Sequence, residues 1–502
     1  MESFYIHAIN QSSVYDVAKV TALDAAPKLS KRLGHHLFFK REDLQPVFSF
    51  KLRGAYNKIA QLSPEEFQSG VICASAGNHA QGVALSAQKR GCKATIVMPR
   101  TTPEIKVNAV ESMGGHVVLH GDSYSDASEK AQQLCRENGM CYVHPYDDPL
   151  VIAGQGTVAR ELLLQAHKPI DVVFVPIGGG GLAAGMSVYL KHMSPETRII
   201  GVEPDDSDAM KRSISAGKRV TLEQVGIFAD GVAVKKVGEH TFDLVKKYVD
   251  EIMVVSADEI CAAIKDIFDD SRSVVEPAGA LAVAAAKKYL SASPEKSLQV
   301  VCVNSGANMN FDRLRYVAER AEIGEEREAL FAVTISEKAG SFLTFCDALK
   351  SHHITEFNYR LSDRQQAQVF VGISLNGETV SKDIETMLVS QGYPVMNLMH
   401  NELARLHLRH MVGGRSALVK DEVLYRFEFP ERPSALLFFL AQIAGRWNIS
   451  MFHYRNHGAA FGRVLVGMEV PLQDREDFAS FLAQVGFPAV EESNNPAYQL
   501  FL

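Results

Sequence analysis

The sequence predicts an α/β region followed by a duplicated α+β region, and three observations lead to this prediction. Residues 1 to about 320 alternate short apolar runs with helix-like segments, as parallel strands covered by helices on both faces do. Two turns within that region each join a strand-like run to a helix-like one, and both contain glycine. Beyond residue 330, a segment of roughly 80–90 residues is repeated, which indicates a structural duplication.

Length and composition limit the class of protein. At 502 residues the chain exceeds what one hydrophobic core usually supports, so two or three domains are expected. A net charge of −7 argues against nucleic acid as the main partner. The N-terminus lacks a basic and apolar signal segment, and the alanine-rich run 278–286 is too short to span a bilayer. Seven cysteines without a CxxC pair favour reduced thiols, so we expect a cytoplasmic protein with no membrane partner.

The elements of the first region follow one another in an alternating order. Strands are predicted at 71–74, 94–98, 116–119, 140–143, 171–175, 199–202 and 299–303, and helices at 52–61, 78–90, 104–113 and 125–138. Continuous apolar strands separated by helices indicate parallel sheets covered on both faces. We therefore expect an α/β domain with two lobes.

The stretch 47–56 places one lysine, Lys51, among small and apolar residues. Burial disfavours the ammonium form, so the pKa of a lysine in such surroundings falls. It can then act as a nucleophile or base near neutral pH, and the formation of a Schiff base is the natural use. A surface lysine that opens a helix is the alternative, and Lys51 alone does not distinguish the two.

Four consecutive glycines connect a strand-like run to the start of a helix: Gly178, Gly179, Gly180 and Gly181. Glycine lets backbone N–H groups approach an anion closely, and the helix N-terminus adds the positive end of its dipole, so a phosphate ligand is predicted. A dinucleotide site is the rival interpretation. The spacing to Ala183 fits its fingerprint loosely, and Glu203 follows about 20 residues later. That interpretation leaves Lys51 unexplained.

The other strand-to-helix turn contains Ser75, Ala76 and Gly77, and the following helix begins at Asn78. Its hydroxyl, backbone N–H groups and amide side chain suit a carboxylate or a polarised phenolate. An N-cap without a ligand is the alternative. Ser305 ends a late strand at the same edge of the sheet, where its neutral hydroxyl could meet a pyridine nitrogen and favour β-elimination over transamination. A plain turn is the alternative for Ser305.

Together these motifs resemble those of fold-type II pyridoxal-phosphate enzymes, and within that group those of the serine/threonine dehydratases. The C-terminal duplication makes the chain similar to the long biosynthetic threonine deaminases, or threonine ammonia-lyases. The resemblance implies a two-lobed fold-type II catalytic domain with pyridoxal 5'-phosphate as its cofactor. It also implies the conversion of L-threonine to 2-oxobutanoate and ammonia, the first step of isoleucine biosynthesis.

The resemblance implies a role for each motif residue. Lys51 would hold the cofactor covalently and, once displaced, would take the α-proton of the substrate. Asn78 would bond the phenolate oxygen of the cofactor, and Ser305 would face its ring nitrogen. The glycine turn and Leu182 would hold the phosphate, and the turn of Ser75, Ala76 and Gly77 would bind the substrate carboxylate.

Two departures from related racemases limit what the resemblance implies. Those enzymes carry serine where this chain has Ala76, so racemisation is not expected. They also bind a divalent cation through an acid six residues after the glutamate that matches Glu203. Here that position is Ala209, so no required divalent metal is expected.

The repeat in the C-terminal region predicts two modules of strand, helix, strand, strand, helix and strand. The matching pairs are 331–345 with 425–439, 354–360 with 449–455, 369–372 with 464–467, and 392–394 with 486–488. This order is ferredoxin-like. The predicted divisions are a catalytic domain at 1–320, a connector at 321–329, and ACT-like regulatory modules at 330–412 and 420–502.

The turn after the first strand of each module, at 337–340 and 431–434, matches the loop through which ACT-type modules bind amino acids. The resemblance implies inhibition by isoleucine, possible opposition by valine, and a homotetramer. Tyr359 and Tyr454 occupy equivalent positions in the two copies and are candidates for contact with the effector. A duplication that only holds subunits together, with paired aromatic packing, is the alternative.

Two other functions remain open from the sequence. One is a different fold-type II lyase or β-replacement enzyme, and the other is an amino-acid sensor with a vestigial catalytic half. The sequence also leaves open the preference for threonine or serine, the number of effector sites and the binding of a monovalent cation.

Overall fold

The computed structural model forms two compact units, Met1–Gly324 and Glu325–Leu502. It describes residues 2–226, 228–291, 297–311, 313–324, 328–361, 363–375, 381–399, 401, 404, 416–430, 435–443, 446–455 and 461–495. None of the described helices combines the length and the apolar character that a membrane crossing requires.

The first unit alternates helices and strands along most of its length. Its helices are α1 Glu2–Asn10, α2 Pro27–Leu33, α3 Lys51–Ile59, α4 Pro64–Ser69, α5 Asn78–Arg90, α6 Glu104–Ser112, α7 Tyr124–Asn138, α8 Pro149–Gln165, α9 Gly181–Met193, α10 Ala209–Ala216, α11 Glu239–Tyr248, α12 Ala257–Ser271, α13 Pro277–Ser291 and α14 Arg313–Gly324. Its strands are β1 Leu23–Ala25, β2 His36–Arg41, β3 Val71–Ala74, β4 Ala94–Met98, β5 His116–Leu119, β6 Cys141–Tyr142, β7 Val172–Pro176, β8 Arg198–Pro204, β9 Glu251–Val255 and β10 Gln299–Asn304.

Two sheets organise the first unit. Six strands are ordered β1-β2-β10-β7-β8-β9, and only the β1–β2 pair is antiparallel. Four strands are ordered β5-β4-β3-β6, and all of their pairs are parallel. All residues of β3 and β7 are buried, as expected for parallel strands covered on both faces. The predicted α/β fold with two lobes is confirmed.

Most predicted elements of this unit are present, with small shifts at their ends. Helix α3 begins one residue earlier than predicted, at Lys51 itself. The predicted strand 140–143 is reduced to Cys141–Tyr142, because it pairs only with β3 at the edge of its sheet. Strand β10 continues to Asn304 because it pairs with β2 through Arg41.

A buried ion network fixes the first turn of α3 to α8. The Arg53 guanidinium lies 2.8 Å from Glu42 and 2.5 Å from Glu161, and Lys40 Nζ lies 2.6 Å from Glu161. All four side chains are at most 3% exposed. Two cations and two carboxylates thus balance one another, which a buried cluster requires because an unpaired charge would be costly.

The second unit contains the two predicted modules. The first has β11 Glu328–Ser336, α15 Ser341–Ala348, β12 Ile354–Arg360, β13 Gln366–Ser374, α16 Ser381–Ser390 and β14 Val395–Asn397. The second has β15 Glu422–Pro430, α17 Ala435–Ile443, β16 Asn448–Arg455, β17 Phe461–Glu469, α18 Arg475–Val485 and β18 Ala489–Glu491. The same order of elements in both confirms the tandem ferredoxin-like prediction.

The two modules share one sheet of eight strands, ordered β14-β11-β13-β12-β16-β17-β15-β18. They join through the antiparallel pair β12–β16, in which Tyr359 lies opposite Phe452 and Phe357 lies opposite Tyr454. All four aromatic residues belong to one apolar core. The seam between the modules is therefore built from both copies of the repeat.

The predicted connector 321–329 is longer than the connection in the structure. Helix α14 continues to Gly324 and β11 begins at Glu328, so both elements extend into the stretch that was predicted to be the connector. Residues 325–327 lie outside the described residues. So do the end of the predicted first module, at 405–412, and the predicted turn 431–434.

Candidate active site

A cavity of about 1020 Å³ opens where strands β3, β7 and β10 end and α3 begins. The structure brings together in this cavity every residue that the sequence assigns to the cofactor or the substrate. They are Lys51, Ser75, Ala76, Gly77, Asn78, Gly178, Gly179, Gly180, Gly181, Leu182 and Ser305. Residues separated by more than 250 positions thus line one space.

Lys51 is the first residue of α3, and its side chain enters the cavity. Its Nζ donates to the carbonyl of Pro145 at 3.2 Å and lies 5.3 Å from the centre of the Phe50 ring. Burial lowers the pKa of Lys51 to about 8, and the nearby Glu276 carboxylate opposes this shift. At pH 7 about one tenth of the amine is therefore neutral, far more than for a lysine with an ordinary pKa, and the neutral form is the nucleophile.

The backbone around Lys51 is held from two sides. On one side the amide of Phe50 donates to the carbonyl of Ser305 at 3.3 Å. On the other side a Cβ on Gly82 would lie 3.2 Å from the amide nitrogen of Leu52, so α5 packs closely against the first turn of α3. Since α5 also carries Asn78 at its N-terminus, this contact sets the distance between the two functional side chains.

The four-glycine turn precedes α9, a helix of 13 residues. A Cβ on Gly179 would lie 2.2 Å from the Tyr146 ring, and one on Gly178 would lie 2.8 Å from the Cα of Val232. Gly180 has φ +97°, which side chains rarely tolerate. The amide groups of Gly178, Gly179 and Gly180 donate to no carbonyl group among the described residues. A turn with free amides at a helix N-terminus fits a phosphate.

Asn78 takes part in a chain of hydrogen bonds that the sequence does not indicate. Its Nδ2 donates to Glu276 Oε1 at 2.6 Å, and its Oδ1 accepts from Asn308 Nδ2 at 2.7 Å. Burial raises the pKa of Glu276 to about 7, although Asn78 and Lys51 favour its charged form. The second Nδ2 hydrogen of Asn78 remains for a ligand oxygen, which fits a phenolate.

Ser305 and Ser75 stand at two other edges of the cavity. The Ser305 hydroxyl donates to the carbonyl of Ala278 at 3.3 Å, and because a hydroxyl hydrogen rotates, it can be donated to a ring nitrogen instead. Ser75 Oγ accepts from the amide of Gly77 at 3.3 Å, in the turn before the 13-residue helix α5. The Ser75 turn and the helix N-terminus together suit a carboxylate.

The side chains of His79 and Glu203 are held by hydrogen bonds to the backbone. His79 Nε2 lies 2.8 Å from the carbonyl of Val143, so this nitrogen carries the proton, and burial lowers the pKa of His79 to about 3. The Glu203 carboxylate is fully buried and accepts from the amides of Met210 and Lys211, both at 2.8 Å. Because it caps α10, Glu203 is not placed to bind a ribose, which removes the main support for a dinucleotide site.

The two candidate effector residues belong to the second unit. Tyr359 is 2% exposed and donates its hydroxyl to Glu337, in the loop after β11. Asn448 of the second module donates to the same carboxylate at 3.0 Å. Tyr454 is 7% exposed and packs in the shared aromatic core. Tyr359 therefore contacts the loop that the sequence associates with effector binding, whereas the structure gives Tyr454 a packing position.

Known proteins match the chain over its full length. Residues 14–306 match the family described as pyridoxal-phosphate dependent enzyme. Residues 319–408 and 413–502 each match the C-terminal regulatory domain of threonine dehydratase. The biosynthetic L-threonine dehydratase of Burkholderia multivorans is 56% identical over 501 residues, which covers 99% of each chain. That of Escherichia coli is 51% identical over 501 residues, covering 99% of this chain and 97% of the other.

A solved structure shows the same relationship over part of the chain. The processed form of threonine deaminase isoform 2 from Solanum lycopersicum is 49% identical, with a TM-score of 0.63. The match covers 64% of this chain and 93% of the Solanum lycopersicum chain. The chain belongs to the biosynthetic threonine dehydratases, a family of pyridoxal-phosphate-dependent enzymes with C-terminal regulatory domains.

Proposed function

We propose that this protein is a threonine ammonia-lyase that converts L-threonine to 2-oxobutanoate and ammonia at the start of isoleucine biosynthesis. The observation that carries the proposal is the single cavity shared by Lys51 and the turn from Gly178 to Gly181. When bound there, pyridoxal phosphate supplies an electron-withdrawing ring that stabilises negative charge at the substrate α-carbon. The residues of the chain bind and orient both molecules and move the proton.

Lys51 has two roles in this proposal. Its Nζ would hold the cofactor covalently, which requires the neutral amine that a pKa of about 8 makes available. Once free of the cofactor, the same Nζ would take the proton from the α-carbon of the substrate. The packing of Gly82 against the first turn of α3 fixes the backbone from which the Lys51 side chain extends into the cavity.

The other residues position the reacting groups. The amides of the glycine turn and Leu182 hold the phosphate, Asn78 bonds the phenolate oxygen, and Ser305 faces the ring nitrogen with a neutral hydroxyl. Ser75, Ala76, Gly77 and the N-terminus of α5 hold the substrate carboxylate. The α-hydrogen is thereby directed to Lys51.

The proposal is tested with two lysine variants of the full chain. Lys51→Ala is expected to abolish both the visible absorbance of the bound cofactor and the release of 2-oxobutanoate from threonine alone. Lys58→Ala, on the same helix but paired with Asp148 at 2.9 Å, is the matched control and should retain both. Unchanged turnover in Lys51→Ala would refute the assignment. Consumption of threonine only in the presence of a second, nucleophilic substrate, with a new amino acid and no ketoacid as product, would indicate a β-replacement enzyme.

We also propose that the second unit binds isoleucine as an inhibitor and valine as its opponent, in a cytoplasmic homotetramer. The regulatory-domain match of both modules supports an amino-acid effector. The contact of Tyr359 with Glu337 supports the loop at 337–340 as part of the site, with Tyr454 as the equivalent residue of the second copy.

A further inference from the structure

Phe48 has a backbone conformation that a bulky residue rarely adopts. Its φ angle is +53°, in the left-handed region, where Cβ approaches the following carbonyl oxygen. Such conformations persist only where the surroundings enforce them, and they cluster at functional sites. Phe48 lies three residues before Lys51 and lines the same cavity.

Hydrogen bonds from both sides hold Phe48 in this conformation. Its amide donates to the carbonyl of Gln45 at 2.7 Å, and its carbonyl accepts from the amide of Ala307 at 2.9 Å. The next residue, Ser49, forms a bridge with Gly306. The strained residue is therefore fixed between the segment of Lys51 and the turn of Ser305.

The side chain of Phe48 is as unusual as its backbone. The residue is 54% exposed, although it lies within a cavity and carries a phenyl ring. An apolar ring that is left open to solvent contributes little to folding, because burial is what stabilises such a ring. The left-handed backbone and the exposed ring of Phe48 thus add little to the stability of the folded protein. A contact between the ring and a ligand explains both features.

The chemistry of the cavity indicates which part of the ligand Phe48 meets. The cavity around Lys51 has polar groups that suit the polar parts of a ligand, such as Asn78, Glu276 and Ser305, and apolar side chains as well. Threonine and serine carry the same carboxylate, amine and hydroxyl and differ by one methyl group. An apolar surface favours that methyl group. Among the apolar residues that line the cavity, Phe48 is the one that the structure holds in the left-handed region with its ring exposed, on the segment that carries Lys51.

We infer that the Phe48 ring forms the apolar wall that contacts the β-methyl group of the substrate and sets a preference for threonine over serine. This inference rests on the proposed threonine ammonia-lyase activity. The strained backbone then serves to direct the ring into the cavity rather than into the protein core.

Phe48→Gly is the decisive variant because glycine relieves the left-handed strain and removes the ring. The midpoint of thermal unfolding should be equal to or higher than that of the wild type. The ratio of kcat/KM for threonine to kcat/KM for serine should fall about 10-fold, the usual scale for one methyl contact in an apolar pocket. Asparagine also tolerates the left-handed region, so Phe48→Asn allows the same comparison of threonine with serine if the glycine variant does not fold.

Arg272→Gly is the matched control. Arg272 has φ +58° at the end of α12, is exposed, and does not line the cavity. The same relief of strain there should leave the threonine-to-serine ratio unchanged. An unchanged ratio in Phe48→Gly, or an equal fall in Arg272→Gly, would overturn the inference. If the wild-type protein itself releases no ketoacid from either substrate, the proposed function fails instead.

Discussion

Lys51 and Glu276 lie in one cavity, and each affects the pKa of the other. Burial lowers the pKa of Lys51 to about 8, whereas the Glu276 carboxylate raises it. Burial raises the pKa of Glu276 to about 7, so this carboxylate is charged over the range in which Lys51 titrates. The proton affinity of the attacking amine is thus set by two opposing effects, burial and one buried negative charge.

Glu276→Gln separates these two effects. Glutamine keeps a hydrogen-bond acceptor for Asn78 but removes the charge that raises the pKa of Lys51. The pKa of Lys51 should therefore fall below about 8, and the neutral amine should appear at lower pH. The pH midpoint for the rate at which the apoenzyme takes up pyridoxal phosphate, followed by absorbance, should shift downward.

The exposed residue Glu129 provides the control, since it does not line the cavity. Glu129→Gln should leave the midpoint where it is in the wild type. An upward shift or no shift in Glu276→Gln would contradict the electrostatic coupling between Glu276 and Lys51.

At the scale of elements, the glycine turn is shaped by the residue that packs on it. Tyr146 lies against Gly179 and Gly181, and its hydroxyl donates to the carbonyl of Lys236 at 3.1 Å. Its ring therefore fills the space that side chains on the turn would need. Glycine is therefore required in this turn for two reasons: side chains would overlap with Tyr146, and they would keep a phosphate away from the backbone amides.

Gly179→Ala should weaken the binding of pyridoxal phosphate to the apoenzyme by at least about 10-fold, or about 1.4 kcal/mol. The new Cβ would lie 2.2 Å from the Tyr146 ring, so the turn or the ring must move. Tyr146→Ala in the same chain removes the overlap and should recover part of the affinity, measured by titration with the cofactor. Equal affinity of Gly179→Ala and the wild type would show that the packing of this turn does not govern binding.

The elements were largely predictable because buried parallel strands are continuous apolar runs, as in β3, β4 and β7. The motif residues at strand ends were predictable for the same reason, since parallel strands end at one edge of a sheet. Glu276 was not, because it reaches Asn78 across 198 positions without a local pattern. The left-handed φ of Phe48 could not be predicted from the sequence either, because glycine and asparagine are the residues that usually indicate that region.

Charge patterns were the least informative local signal. Four consecutive charged residues, Lys40 to Asp43, are of types that are usually exposed, yet Lys40 and Glu42 are fully buried because Arg53 and Glu161 neutralise them. The charged stretch after residue 320 reads as a connector, yet α14 extends to Gly324. In the first case, ionic partners far along the chain decide the outcome.

At the scale of the whole molecule, catalysis and regulation belong to different parts of the chain. Every cavity residue named above precedes Gly324, and both repeated modules follow it. A chain that ends at Gly324 should therefore retain some release of 2-oxobutanoate from threonine but lose inhibition by isoleucine. Steady-state kinetics of both chains, with and without isoleucine, measure this. Persistent inhibition of the shortened chain would place the effector site in the first unit.

The attachment of the cofactor tests the account most directly. The holoenzyme is reduced with borohydride, which fixes covalently bound pyridoxal phosphate to its lysine, and the peptides are mapped by mass spectrometry. The label is expected on Lys51, in the peptide that contains the first turn of α3. A label on Lys106, which also lines the cavity, or on any other lysine would contradict the assignment of Lys51.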